Sequence, residues 1–182
     1  IIFLDVDGVL NSVRSMIAFH DEYRALCSQG SFNREQPRSH CVFNHIDSVA
    51  VKLLNRITDE SGAKYVISST HRKHIPDFGG GGRDMKKMKK YFADFGLTGE
   101  VIGYTPCHSD GFRGREIEDW IDNYFSTQGE VPPTLEAYAI VDDSDDMTDY
   151  QKANHFVHTS VEDGFGMNNF RKLKQLMGLT PE

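Results

Sequence analysis

Two aspartates spaced two apart, Asp5 and Asp7, close a very apolar run and are followed at once by Gly8. A carboxylate nucleophile beside a second carboxyl that can shuttle a proton is what covalent phosphoryl transfer through an aspartyl-phosphate needs. Ile1 to Leu4 are β-branched or bulky and read as a buried strand from the middle of a parallel sheet. Asp5 then stands at the carboxyl end of that strand, where open α/β sheets place their ligands. An extended chain would put Asp5 and Asp7 on one face, and Gly8 lets the chain turn away. Calcium loops and ordinary turns also combine Asp with Gly, so the rest of the chain has to decide between the readings.

Three later segments supply what such a site lacks. Tyr65 to Thr70, YVISST, is an apolar run ending in hydroxyls that can donate hydrogen bonds to a phosphate oxygen. Gly111 to Ile117, GFRGREI, puts cationic side chains at the start of a helical pattern, where main-chain N–H groups and guanidinium forks favour an anion. Ala137 to Asp143, AYAIVDD, is a third apolar strand ending in carboxylates, hard oxygen ligands suited to Mg²⁺. Nucleophile, hydroxyl, cation and metal-binding acid together make one phosphoryl-transfer site.

The four segments FLDVDGVLN, VISSTHR, RGREIEDWI and AIVDDSDDM resemble motifs I to IV of the haloacid dehalogenase (HAD) superfamily, and most of all its small domains associated with RNA repair proteins. The resemblance implies an α/β, Rossmann-like three-layer sandwich with a central parallel sheet. It also implies a phosphoric monoester hydrolase. Asp5 would be the nucleophile and Asp7 the general acid/base. Ser68 would hold the phosphoryl group, with Ser69 as its competitor, since Ser68 is the first residue after the apolar run. Arg113 would neutralise the phosphoryl charge, with Arg115 competing; the Arg-Gly pair before Glu-Ile favours Arg113. The third motif is more often a Lys in the superfamily. Mg²⁺ would be held by Asp5, the main-chain carbonyl of Asp7 and Asp142, with Asp143 and Asp146 as supporting or alternate ligands. Gly8, Ser69, His71, Arg72 and Arg115 complete the expected substrate contacts. Asp at position 7 also separates this chemistry from that of P-type ATPases, which place Thr there, and from dehalogenases, which lack this acid.

The elements that must position these residues alternate along the chain. Asp47 to Ser61 has helical spacing with Gly62 as its stop, Asp84 to Phe95 reads as a helix, Glu100 to Gly103 as a short strand, and Arg115 to Phe125 as a helix with Ile117, Trp120, Ile121 and Tyr124 on one stripe. Trp120 is read as core. His155 to His158 reads as the last strand and Asn168 to Met177 as the last helix. One domain over residues 1–182 is expected, with a small cap or flap at 11–46 that forms either a flap or a pair of helices around Met16 to Leu26 and carries Phe19, Tyr23, Phe32 and Phe43. Superfamily members with short insertions leave the site open, and neither insertion here is long enough for a large cap domain. An open site suits a phosphorylated nucleotide or a nucleic-acid end.

A net charge of −7 argues against coating nucleic acid through bulk electrostatics, without excluding a local basic groove. Two clusters could form one: His71, Arg72, Lys73 and His74 beside the second motif, and Arg83, Lys86, Lys87, Lys89 and Lys90. The second also reads as a solvated helix face. His71 and His74 have the spacing of half a zinc site, but no matching pair accompanies them, and zinc is not expected. Gly79 to Gly82 lacks the P-loop spacing and reads as a loop. Three cysteines, Cys27, Cys41 and Cys107, form no CxxC pair, which suits free thiols in a reducing, cytoplasmic setting. No stretch is long and apolar enough for a membrane span, and no stable protein partner is implied. Because the chain starts directly on the catalytic strand, a short upstream extension with at least a starting Met is expected. The contrasting functional class is a catalytically weak phosphate-binding module of the same fold inside a repair or defence assembly. The intact acids disfavour it.

Overall fold

The computed structural model of the protein describes residues 1–19, 46–70, 85–126 and 138–180. Five parallel strands form one sheet: β1 (Ile2–Leu4), β2 (Tyr65–Ile67), β3 (Val101–Tyr104), β4 (Ala139–Asp142) and β5 (Phe156–His158), in the spatial order β3-β2-β1-β4-β5. The register sets Phe3 against Val66 on one side and Ile140 on the other. β1 is therefore the central strand, which accounts for its unbroken apolar sequence: it is covered on both faces and carries no polar alternation.

Side chains alternate across this sheet, so its two faces have separate cores. Ile2, Leu4, Tyr65, Ile67, Val101, Val141 and Val157 share one cluster with α1 (Ser48–Ser61), α2 (Met85–Asp94) and α5 (Met167–Leu176). Phe3, Val66, Ile140 and Phe156 face the opposite way, onto Ile117, Trp120 and Ile121 of α3 (Arg113–Ser126). Phe3 meets the Trp120 ring edge-on at 5.5 Å, which places Trp120 in the core as its helical stripe predicts. The product is the three-layer α/β arrangement expected from the sequence.

Helix limits follow local chemistry. The Asp47 carboxylate accepts the Val49 N–H at 2.8 Å and starts α1; the Gly62 N–H closes it on the Thr58 carbonyl at 2.9 Å. A six-residue helix, α4 (Asp149–Asn154), was not expected. It is too short to show a period, but its capping box is legible: Thr148 and Gln151 bond reciprocally side chain to main chain.

Of the expected flap, residues 13–19 are helical, with the Val13 and Arg14 N–H groups bonded to the carbonyls of Val161 and Glu162. The rest of the 11–46 segment, including Tyr23, Phe32, Phe43, Cys27 and Cys41, lies mostly outside the described residues, as do His71, Arg72, Lys73, His74, the Gly79 to Gly82 run and Arg83. Among the described residues no helix is long and apolar enough to cross a membrane.

Candidate active site

The residue that follows β1, β2, β3 and β5 extends the sheet's hydrogen-bond ladder by one rung. The Asp5 N–H donates to the Val141 carbonyl at 3.0 Å, Ser68 to Leu4 at 2.8 Å, Thr105 to Ile67 at 3.0 Å and Thr159 to Asp142 at 3.0 Å. Thr105, Ser68, Asp5, Asp142 and Thr159 thus stand in a row along the carboxyl edge, one from each strand. Main-chain bonds to the neighbouring strands hold these side chains where loops alone would let them wander.

Asp5, at the centre, is 6 % exposed and Asp142 is fully buried. One oxygen of each of Asp5, Asp142 and Asp143 lies within 4.8 Å of the others. Among the described residues, Asp5 Oδ1 and Asp142 Oδ2 are buried with no hydrogen-bond donor, whereas Asp142 Oδ1 accepts the Ser144 N–H at 2.9 Å. Burial pushes the Asp5 carboxyl above its usual range, although Arg113 and the Ser69 hydroxyl pull it back. Asp142 is raised by burial and then by the Asp5 charge; Asp143 is raised by burial and by Asp7. Packed acids that resist ionising together, with lone pairs left over, are a donor set that could hold a hard divalent cation.

Asp7 reaches the site by a turn and not along the strand. β1 ends at Leu4, and the Leu10 and Asn11 N–H groups fold back onto the Val6 carbonyl at 2.8 and 3.2 Å. The extended face that Asp5 and Asp7 were expected to share therefore does not exist. Beyond the turn the Asp7 charge raises Asp143, and Asp7 Oδ1 accepts from the Asn11 amide at 2.8 Å. Gly8 holds the turn at φ +66, and a β-carbon there would overlap the Asp143 side chain. The Asp7 carboxylate is not one of the three that cluster.

On the other flank, Arg113 opens α3 and is 6 % exposed. Its Nη1 donates to Ser68 Oγ at 3.4 Å and lies 3.8 Å from Asp142 Oδ2. Thr105 Oγ1 donates to the same Ser68 oxygen at 3.4 Å. Ser68 accordingly faces Arg113, and Ser69, also buried, bonds Asp5. Arg115 lies elsewhere: its side chain is 65 % exposed, pairs with Asp110 at 2.9 Å and covers the Phe112 ring. Residues two apart on a helix point to nearly opposite sides, so Arg113 and Arg115 cannot both face the acids. The expected substrate contact from Arg115 is thus not part of this cluster.

Two residues escaped sequence reading, Thr105 and Glu116, and a third, Asp146, was expected only as a supporting or alternate metal ligand. Thr105 ends a strand read only for its length. Asp146 accepts the Arg113 N–H at 3.3 Å through Oδ2 and the Gly114 N–H at 3.0 Å through its carbonyl, fastening the start of α3 to the acidic loop. Glu116 is a buried carboxylate in a helix read only for its apolar stripe. For Glu116, the clue in sequence was its three-residue spacing from Arg113.

A family model described as the HAD domain in Swiss Army Knife RNA repair proteins matches residues 1–170. No curated protein and no solved structure matches the chain.

Proposed function

Because this chain belongs to the family of HAD domains in Swiss Army Knife RNA repair proteins, we propose that it is a Mg²⁺-dependent phosphomonoesterase working through an aspartyl-phosphate on Asp5. The observation that carries this reading is the pair of donor-free carboxylate oxygens, Asp5 Oδ1 and Asp142 Oδ2, buried beside Asp143 and Arg113. A buried anion without a donor is costly unless a cation completes it. Asp5, Asp142 and Asp143 would hold Mg²⁺, with the Asp7 carbonyl contributing as the superfamily resemblance implies. When bound, the ion would neutralise phosphate charge and keep the Asp5 carboxylate ionised.

The chain's own residues then divide the chemistry. Asp5 attacks phosphorus, forming a carboxyl–phosphate bond as the bond to the leaving oxygen breaks, and Asp7 donates its proton to that oxygen. Arg113 and the Ser68 hydroxyl hold the equatorial oxygens, where charge is spread in the transition state. Asp7, now a base, takes a proton from water, which attacks phosphorus and releases phosphate from Asp5. The Asn11 amide bonded to Asp7 limits the arc through which that carboxyl swings.

The substrate we infer is a phosphorylated nucleotide or a nucleic-acid terminal phosphate, in keeping with the RNA-repair family and with insertions too short for a large cap. His71 and Arg72, next in sequence after the second motif, are proposed to meet neighbouring phosphates. A panel of mononucleotides, oligonucleotides with 3′- or 5′-phosphates and an aryl phosphate, each with Mg²⁺ or with EDTA, tests the reading. Hydrolysis that needs Mg²⁺ and vanishes in Asp5→Asn is the expected result. Phosphate binding with no turnover on any substrate would replace the enzyme with a binding module.

A further inference from the structure

We propose that Glu116 is a positioning residue: a buried carboxylate outside the acidic trio that aims the Arg113 guanidinium at Ser68 and at the phosphate held there. The proposal rests on the phosphatase reading of the site and adds to it a residue that meets neither metal nor substrate.

Glu116 lies one helical turn beyond Arg113 and is 1 % exposed. Both of its oxygens have work. Oε1 accepts the His108 N–H at 2.9 Å, from the segment that follows β3, and Oε2 lies 3.9 Å from Arg113 Nε. The His108 ring bonds Asp119, one turn further along α3, at 2.9 Å, so the loop that anchors Glu116 is tied to the helix at a second point. A carboxylate taken this far out of water is expensive, and an apolar side chain would serve packing better. The guanidinium it faces is two-sided. Nε turns to Glu116, while Nη1 turns to Ser68 Oγ and Asp142 Oδ2.

Those two sides differ in what happens to them during turnover. Ser68 and Asp142 are groups that phosphate and metal would engage, so their hold on Arg113 changes as ligands come and go. Glu116 is removed from the reacting atoms, and its grip persists through the cycle. Arginine has many rotamers and a planar fork that is useful only when correctly aimed. Because Glu116 acts by aiming Arg113 and not by touching the phosphate, its contribution is expected in the transition state more than in ground-state affinity.

Glu116→Gln keeps the shape and an oxygen for the His108 N–H but removes the charge. Expected is a fall in kcat of about tenfold or more, with KM and inhibition by inorganic phosphate altered less than about threefold. In an Arg113→Lys background the same change should cost little more, because both substitutions disable one unit. Wild-type kcat in folded Glu116→Gln, or losses that simply multiply in the double variant, would overturn the proposal while leaving the phosphatase reading intact. Should Glu116→Gln not fold, Glu116→Asp decides: it keeps the charge on a shorter arm, so a several-fold loss in kcat is expected and a wild-type rate overturns the proposal. A wild-type protein inactive on every phosphomonoester would sink the phosphatase reading and this inference with it.

Discussion

Asp142 and Asp145 are three residues apart in one acidic run, yet their surroundings separate them. Asp142 is fully buried in the cluster; Asp145 is exposed and pairs with Lys152 at 3.5 Å. Surface pairs of that kind contribute about 0–1 kcal/mol. Asp142→Asn should therefore depress Mg²⁺ affinity and turnover together, with partial recovery at high Mg²⁺, while Asp145→Asn stays near wild type. Titration of activity against Mg²⁺ for the two variants checks this, and equal losses would mean the ligand is misplaced. The same burial sets a pH dependence. Asp5 and Asp142 hold their protons more tightly in the folded chain than at the unfolded value of about 3.9, so between that value and their raised folded values the native state binds more protons. The metal-free fold accordingly loses stability as pH rises through that window. Mg²⁺ competes with those protons, and the rise in melting temperature it causes should be larger near pH 8, Asp142 being raised to about 8, than near pH 5.5, well inside the window. A shift independent of pH would show that the carboxylates are already ionised in the metal-free protein.

At the scale of elements, the first turn of α3 is held from outside itself. Asp146 caps the Arg113 and Gly114 N–H groups, and the Gln151 amide of α4 donates to the Gly114 carbonyl at 3.0 Å. Gly114 is required by this close approach: a β-carbon there would come within 2.6 Å of Gln151 Oε1 and 2.8 Å of the Thr148 main-chain nitrogen. Gly114→Ala should push α3 away from α4 and carry Arg113 with it, costing roughly 1–3 kcal/mol in stability as an overpacked site does. Turnover should fall further than stability alone accounts for, which comparison of denaturant melts with kcat on the folded fraction would reveal. An unchanged kcat would mean that the start of α3 has room to adjust. This arrangement also explains why the sequence places the helix start at Arg115 when it begins at Arg113: the cap comes from a residue thirty-three positions away, and no local signal marks it.

The whole molecule carries a net charge of −7, so a polyanionic substrate approaches an unfavourable mean field and depends on local cations. Lys89 and Lys90 are already engaged, with Glu100 at 3.6 Å and Asp94 at 2.8 Å. Hydrolysis of a phosphate-terminated oligonucleotide should fall with added salt more steeply than that of a mononucleotide, because each extra phosphate contact releases counterions. Parallel salt profiles, read as log kcat/KM against log salt for the two substrates, would instead mean that only the terminal nucleotide is gripped.

Strand and helix types were legible in the chain because burial on both sides of a parallel sheet leaves uninterrupted apolar runs, and those runs point at the edge where ligands bind. Ile1 to Leu4, Tyr65 to Ile67 and Ala139 to Val141 carry that signal unaided, as do the acids and hydroxyls placed just past their ends. Sequence also brought Arg113, Ser68 and the acidic run to one neighbourhood. Within pairs it favoured Ser68 and Arg113 without excluding their neighbours, and it left Asp143 and Asp146 undivided. Ser68 and Ser69, Arg113 and Arg115, and Asp143 and Asp146 are nearly equivalent neighbours whose directions depend on the last rung of the ladder, the phase of a helix and the path of a loop. Those are settled by contacts between segments far apart in the chain: Ser68 bonded to β1, and α3 started by Asp146. A side chain's type is local, but the direction in which it points is decided by what packs around it.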